Sequence, residues 1–277
     1  SIVLLVIDPL GLLLFDFLMY QHNFVKYHSL YNINIKKKLF SYIKMKVEKM
    51  KDKGDAFTIE KKEVPSIPFR TLIIGQTGAS KTTLLGSLIL NKDAYKNDFR
   101  GKDIYVFSPL KNDFKMEQII KRKNIPDDNV FTELDDDILN ELYDKLVDDF
   151  EFLISMKKKP KPTLIVIDDF SFSGALRSGF YNSLARVFCL LTSQYYHHIL
   201  PVCKNNASSV FFYTASLKQR ENLMDDHNYL GNKKMFMRML DDHLKNKRDF
   251  ILIDYSKDMD KIYRDKNFKI IDTEIYR

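Results

Sequence analysis

Tryptophan is absent from this 277-residue sequence and cysteine nearly so, leaving 21 Phe and 15 Tyr to carry the aromatic load. The two cysteines, Cys189 and Cys203, form no CxxC pair, and the six histidines do not stand at zinc-ligand spacing from them. The adjacent His197 and His198 would point to opposite faces of a strand. These absences argue against a disulfide-stapled secreted domain and a structural metal, and for a reduced intracellular protein. A general basic surface is lacking as well. The formal net charge is +7, yet residues 33–53 hold eight Lys against Glu48 and Asp52, a net of +6. Residues 1–32 carry a net of −1, so residues 54–277 carry only +2. A like-charge run of this kind reads as a solvated arm, and the overall pI is weak evidence for nucleic-acid binding.

An unbroken membrane span is missing too. Residues 1–20 are strongly apolar but contain Asp8, Pro9 and Asp16. Each aspartate near the bilayer centre costs about 2.5–3.5 kcal/mol, against about 0.3–0.6 kcal/mol returned by each Leu, Ile or Phe. The sum is close to zero, so membrane insertion is disfavoured. No basic region precedes the apolar run, so a secretory signal fits poorly. The chain starts at Ser1, and Met45 or Met50 is an alternative natural start. The length suffices for one α/β domain, or for one domain plus an arm. We expect residues 1–66 to be an apolar, then Lys-rich, N-terminal segment and residues 67–277 to be the folded domain.

What is present begins at residue 71. Thr71-Leu72-Ile73-Ile74-Gly75 reads as a short buried strand, and residues 81–90 as a helix. Further strands are expected at 103–108, 163–168, 187–192, 209–214 and 250–254. Helices are expected at 134–154, where Leu134, Ile138, Leu142, Leu146 and Phe150 recur every four residues, and near 216–226 and 232–246. Apolar strands alternating with helices predict an α/β fold with a parallel-core sheet sandwiched by helices.

Between the first strand and helix lies Gly75-Gln76-Thr77-Gly78-Ala79-Ser80-Lys81-Thr82-Thr83. This approximates the phosphate-binding pattern G-x-x-x-x-G-K-[ST]. Small residues let backbone N–H groups curl around phosphate oxygens, and the helix N-terminus adds partial positive charge. Lys81 would reach the outer phosphates of ATP and Thr82 would hold Mg²⁺. Ser80 stands where the second Gly is expected. The alternative is a Gly-containing strand-to-helix turn with a solvated lysine.

Such a loop needs an acid on a neighbouring strand, and Leu164-Ile165-Val166-Ile167 runs into Asp168-Asp169. Asp168 would hold Mg²⁺ through water, as in a Walker B motif, and Asp169 would polarise the attacking water. The alternative is a pair that only ends a strand and caps a turn. Gln194, after Leu190-Leu191-Thr192-Ser193, would sense the γ-phosphate or position water, or be a plain strand-end amide.

Together these parts resemble the DNA-packaging ATPases of large DNA viruses, the poxvirus-type enzymes of the FtsK–HerA superfamily, with cousins in virophages and polinton-like elements. The resemblance rests on the loop, the Asp168-Asp169 strand and Leu191-Thr192-Ser193-Gln194-Tyr195-Tyr196. It extends to residues 104–109, to Leu200-Pro201 and Lys204-Asn205-Asn206-Ala207, to residues 248–254 and to Ile262-Tyr263-Arg264, spanning roughly residues 67–271. It implies a RecA/FtsK-like P-loop fold and an ATP-hydrolysing ring. That ring would translocate double-stranded DNA, without sequence preference, into a viral procapsid within the infected cell. The sequence departs from the family at Ser80 and lacks the Arg-His pair before the sensor strand. Only Arg177 and Arg186 remain as arginine-finger candidates, with Lys204 at the exit. A small kinase would want an Arg-rich lid and a GTPase an Asn-Lys-x-Asp motif. Neither is evident, since Asn91-Lys92-Asp93 lacks the spacer. A non-hydrolysing nucleotide-binding protein is the other alternative.

Overall fold

Among the described residues, eight strands form one sheet in the order β3-β2-β4-β5-β1-β6-β7-β8. In chain order they are β1 Arg70–Ile74, β2 Ile104–Phe107, β3 Val130–Phe131, β4 Leu164–Ile167, β5 Phe188–Ser193, β6 Ser209–Tyr213, β7 Phe250–Asp254 and β8 Tyr263–Arg264. The helices among the described residues are α1 Lys81–Leu90, α2 Phe114–Lys123, α3 Asp136–Ser155, α4 Pro201–Asn206, α5 Leu217–His227 and α6 Lys233–His243. This computed structural model describes residues 58–109, 113–160, 162–169, 188–199 and 201–276, within a compact unit spanning residues 53–277. The apolar residues 1–20, the Lys-rich run, Arg177 and Arg186 lie outside the described residues. Among those described, no helix is long and apolar enough to cross a membrane.

The strands are apolar because both faces of the sheet are covered. Alternate residues point to opposite sides. Leu72, Ile74, Ile165, Ile167, Leu191, Val210 and Phe212 pack against α3, α5 and α6, where Leu139, Leu142, Leu223, Phe236 and Leu240 are buried. Ile73, Val106, Leu164, Val166, Leu190 and Phe211 pack on the other face against Leu84, Leu85 and Leu88 of α1 and Met116 and Ile119 of α2. Helix α2 starts at Asp113, whose carboxylate accepts from Lys115 N and Met116 N, at 2.8 and 3.3 Å. Helix α3 starts at Asp135, which accepts from Ile138 N at 2.8 Å. Such caps satisfy N–H groups that the first turn leaves unpaired.

The expected strands are all present to within a residue or two. The strands β3 and β8, two residues each, and the six-residue helix α4 are too short to carry periodicity. The ten-residue helix α2, with its Asp113 cap and buried Met116 and Ile119, was not expected from the sequence. The first six strands in space are mutually parallel, but β7 pairs with β6 and β8 with β7 antiparallel. The cause is the parity of the connection. One helix between strands returns the chain to the opposite edge, whereas α5 and α6 together bring it back to the edge where β6 ended. Tyr213 therefore pairs with Phe250, and residues 244–249 lie at the C-terminal edge of the parallel strands.

Residues 58–66 pack on the domain. Ile59 and Ile67 exchange two backbone hydrogen bonds of 3.0 and 2.9 Å, and Val64 is buried. Pro65 O accepts from Tyr95 Oη at 2.6 Å, while Lys61 pairs with Asp98 at 2.7 Å.

Candidate active site

The C-terminal edge of the parallel strands brings the sequence-predicted residues together. Strand β5 lies between β1 and β4. The loop leaving β1, the acids leaving β4 and Gln194 leaving β5 therefore converge at the point where the strand order reverses, the usual ligand crevice of open α/β sheets.

Four residues of the loop, Gly75, Gly78, Ala79 and Ser80, are constrained by its geometry. A Cβ on Gly75 would stand 2.9 Å from Tyr213 Cβ and 3.1 Å from Ala79 Cβ, so a side chain there would push the loop off β6. Ala79 N donates to Gln76 O at 3.0 Å, closing a tight turn. Gly78 has φ +79°, as its motif position permits. Ser80 has φ 78° and ψ 28°, the left-handed conformation. The backbone thus adopts at Ser80 the geometry for which Gly is the default, and the Cβ strains it by about 1–2 kcal/mol. Ser80 makes no side-chain cap, although its carbonyl accepts from Leu84 N at 3.0 Å to start the helix. The first turn of α1 holds no acid, so its N–H groups and dipole remain available to an anion.

Lys81 is buried and folds back on the loop, its Nζ donating to Gly75 O at 2.8 Å. The same Nζ lies 4.0 Å from Asp169 Oδ1. Burial lowers its pKa, and Asp169 and Asp168 oppose that by favouring its charge. Thr82 follows Lys81 in the first turn. Thr83 is exposed, and its Oγ1 accepts from Lys115 Nζ at 3.0 Å.

Asp168 is 2% exposed. Its Oδ1 accepts from Thr192 Oγ1 at 2.7 Å, and Thr192 Oγ1 in turn accepts from Asp169 N at 2.9 Å. Burial raises the Asp168 pKa and is the dominant influence. The Thr192 hydrogen bond opposes it, Asp169 and Asp113 add to it, and Lys81 opposes it. Asp169 has φ 49°, a left-handed conformation that Asp tolerates better than most residues. Its Oδ2 accepts from Gln194 Nε2 at 2.9 Å. Asp169 is thus oriented by Gln194 on one oxygen and faces Lys81 with the other.

Three contributors escaped the sequence reading. Thr192 is the hydroxyl that ties both acids together, and a polar residue at the end of an otherwise apolar strand was its signal. Asp113, the α2 cap, acts on Asp168 only through space. Ser108, one residue beyond the paired Phe107 and Ile167, buries a hydroxyl that has no hydrogen-bond partner among the described residues, beside the strand of Asp168. A cavity of about 280 Å³ also opens beside the loop, lined by Ser80, Thr83, Ser87, Tyr213, Phe250 and Phe268.

A phosphate loop on the central strand with an acidic pair two strands away, on a three-layer α/β fold, defines the chain as a P-loop NTPase. Residues 56–271 match the family model described as "Poxvirus A32 protein". The chain belongs to that family, in agreement with the resemblance carried by its motifs. No curated protein matches the sequence. Among solved structures it is similar to the genome packaging NTPase B204 from Sulfolobus turreted icosahedral virus 2 in complex with AMP. The identity is 13%, the match covers 68% of this chain and 93% of that one, and the TM-score is 0.44. It is also similar to ATPases 2 and 3 of EssC from Geobacillus thermodenitrificans, at 15% identity and a TM-score of 0.43. That match covers 56% of this chain and 34% of the EssC chain, so it spans about a third of the latter.

Proposed function

We propose that this chain is the ATPase motor that drives viral double-stranded DNA into a capsid. The observation that carries the reading is the convergence of Lys81, Asp168, Asp169 and Gln194 at one strand edge in a chain of the poxvirus A32 family. Residues 75–83 would bind the phosphates of ATP through backbone N–H groups, with Lys81 moving from Gly75 O to a phosphate oxygen. Asp169, oriented by Gln194, would accept a proton from the attacking water. The cavity beside Tyr213, Phe250 and Phe268 has the size and aromatic walls to take an adenine base.

The site suits Mg²⁺. Asp168 is a buried carboxylate whose charge is under-compensated by its protein neighbours, and Ser108 adds an unpartnered hydroxyl nearby. Thr82 and Asp168 would hold the ion, which neutralises phosphate charge when bound.

The same proposal includes self-association into a ring, in which neighbouring subunits would act on the duplex in turn. Arg177 and Arg186 are the candidates for a finger reaching a neighbour's ATP. DNA contact needs only a few Lys or Arg per subunit, so a nearly neutral domain is compatible with a sequence-independent grip on phosphates. The place of action would be the infected host cell, where genomes meet procapsids.

ATP hydrolysis measured with and without linear duplex DNA tests the proposal. Stimulation by DNA, together with ring formation in the presence of ATP or DNA, is expected. Hydrolysis indifferent to DNA in a strictly monomeric protein would leave a small P-loop enzyme instead, and binding without hydrolysis a nucleotide-binding protein.

A further inference from the structure

Lys247 lies outside every motif, yet the antiparallel course of β7 puts it at the mouth of the phosphate loop. The loop that carries it, residues 244–249, is braced from several sides. Thr214 Oγ1 donates to Asn246 O at 2.6 Å and to Leu244 O at 3.2 Å. Thr214 N donates to Asp249 O at 3.2 Å. The Asp249 carboxylate is buried and accepts from Asn246 N at 2.8 Å, from Asn246 Nδ2 at 2.9 Å and from Lys266 Nζ at 2.8 Å. Burial works against its charge, but Lys266 and the Asn246 donors outweigh that and hold its carboxyl below the usual range.

Between these braces the chain projects two exposed basic residues, Lys247 and Arg248. Lys247 turns back over the phosphate loop. Its Nζ stands 2.9 Å, and its Cε 3.4 Å, from where a Cβ on Gly78 would be. The absence of a side chain at Gly78 is what lets the ammonium lie against the middle of the loop. Among the described residues Lys247 forms no ion pair, so its charge is directed at a surface built for an anion, with Lys81 and the α1 N-terminus beside it.

We infer that Lys247 is a second, cis-acting cation of the nucleotide site, one that grips the phosphates of ATP from over Gly78 while Lys81 holds them from the first turn of α1. The inference rests on the reading of residues 75–83 as an ATP-binding loop. An ammonium on a flexible stem suits this task, because it can follow the phosphates through binding and release. Asp249 anchors the loop to Lys266, which also lines the cavity beside Tyr213 and Phe250, so the proposed phosphate grip is tied to one wall of that cavity.

Binding of ATP, ADP and adenosine to the full chain, measured by calorimetry, tests this with Lys247→Ala, Lys247→Arg and Lys81→Ala. Loss of one charge-assisted contact predicts about a 10- to 100-fold weaker ATP affinity for Lys247→Ala. A smaller loss is expected for ADP and none for adenosine, with an unchanged melting temperature because the side chain is exposed. Lys247→Arg should recover most of the ATP affinity. Wild-type ATP affinity in Lys247→Ala, when Lys81→Ala has lost it, would overturn the inference and leave the loop reading intact. Equal losses for ATP and adenosine would overturn it as well, by pointing to a structural role. A wild-type chain that binds no ATP would sink both readings together.

Discussion

Asp168→Asn should make the protein more stable and inactive. The carboxylate is almost fully enclosed, and burial outweighs the Thr192 hydrogen bond and the attraction of Lys81, so its pKa lies above the usual range. At neutral pH the wild type therefore holds a buried charge that its surroundings do not fully compensate, next to the like charges of Asp169 and Asp113. Asparagine keeps the shape and leaves an amide oxygen to accept from Thr192 Oγ1. It removes the desolvation cost and the repulsion, and loses the attraction to Lys81. Replacing a whole buried ion pair by well-packed apolar residues is often neutral or stabilising by about 1–4 kcal/mol, whereas here one charge alone is removed. The loss of Lys81's attraction puts this case at the low end, about 1 kcal/mol. A domain of this size gains about 2–4 °C in Tm per kcal/mol.

The pH dependence carries the sign. A carboxyl whose folded pKa is raised binds more protons folded than unfolded in the window above the ordinary value of about 4. As pH falls through the raised pKa into that window the wild type sheds its penalty, and below both values Asp168 is neutral in either state. The advantage of the variant should thus be full at neutral pH and shrink on acidification. Thermal unfolding without nucleotide or Mg²⁺, from pH 7.5 down to about pH 4, is the assay, alongside ATP hydrolysis. A variant less stable than wild type at neutral pH, or an advantage that grows as pH falls, would refute the reasoning.

Other outcomes are expected from the same geometry. Asp169→Asn should retain ATP binding and lose at least about 100-fold in turnover, the scale of a general base; normal turnover would move that role elsewhere. Ser80→Gly should be stabilised by about 0.5–1 kcal/mol in urea unfolding. Relief of left-handed strain exceeds the added freedom of the unfolded chain, whereas a less stable variant would show that Ser80 is not strained. His227 is buried between the hydroxyls of Tyr196 and Tyr255, and burial lowers its pKa to about 4, with Asp226 opposing and Lys204 reinforcing. The unfolded chain binds a proton that the fold refuses between about pH 6.5 and 4, so stability should decline over that window by up to roughly 3 kcal/mol. His227→Gln should flatten this decline; an unchanged slope would place the titration elsewhere.

The sequence alone determined the parts whose signal is local. Residues 71–83 declare a strand, a phosphate loop and a helix because each depends on neighbours only: apolar continuity, small residues, a lysine and hydroxyls in the first turn. The Asp168-Asp169 strand is legible for the same reason, and so is the family, since its motifs follow one another along the chain. Two helices between β6 and β7 were also legible, and their parity contains the reversal of β7, though the alternation of strands and helices pointed to a parallel sheet.

Tertiary structure decided what depends on residues far apart. Thr192 became the link between both acids only when β5 took its place between β1 and β4. The pKa of Asp168 is raised first by burial, against the Thr192 hydrogen bond and with smaller additions from Asp169 and Asp113, and neither the burial nor the nearness of Thr192 and Asp113 is disclosed by spacing. Ser80 could be seen to replace a glycine, but its left-handed backbone is imposed by the turn that the loop must make between β1 and α1. Lys247, 169 positions after Gly78, reaches the phosphate loop because β7 descends from the catalytic edge. Local chemistry is written in order along the chain; the charges that tune it arrive through strand order and direction, which only folding fixes.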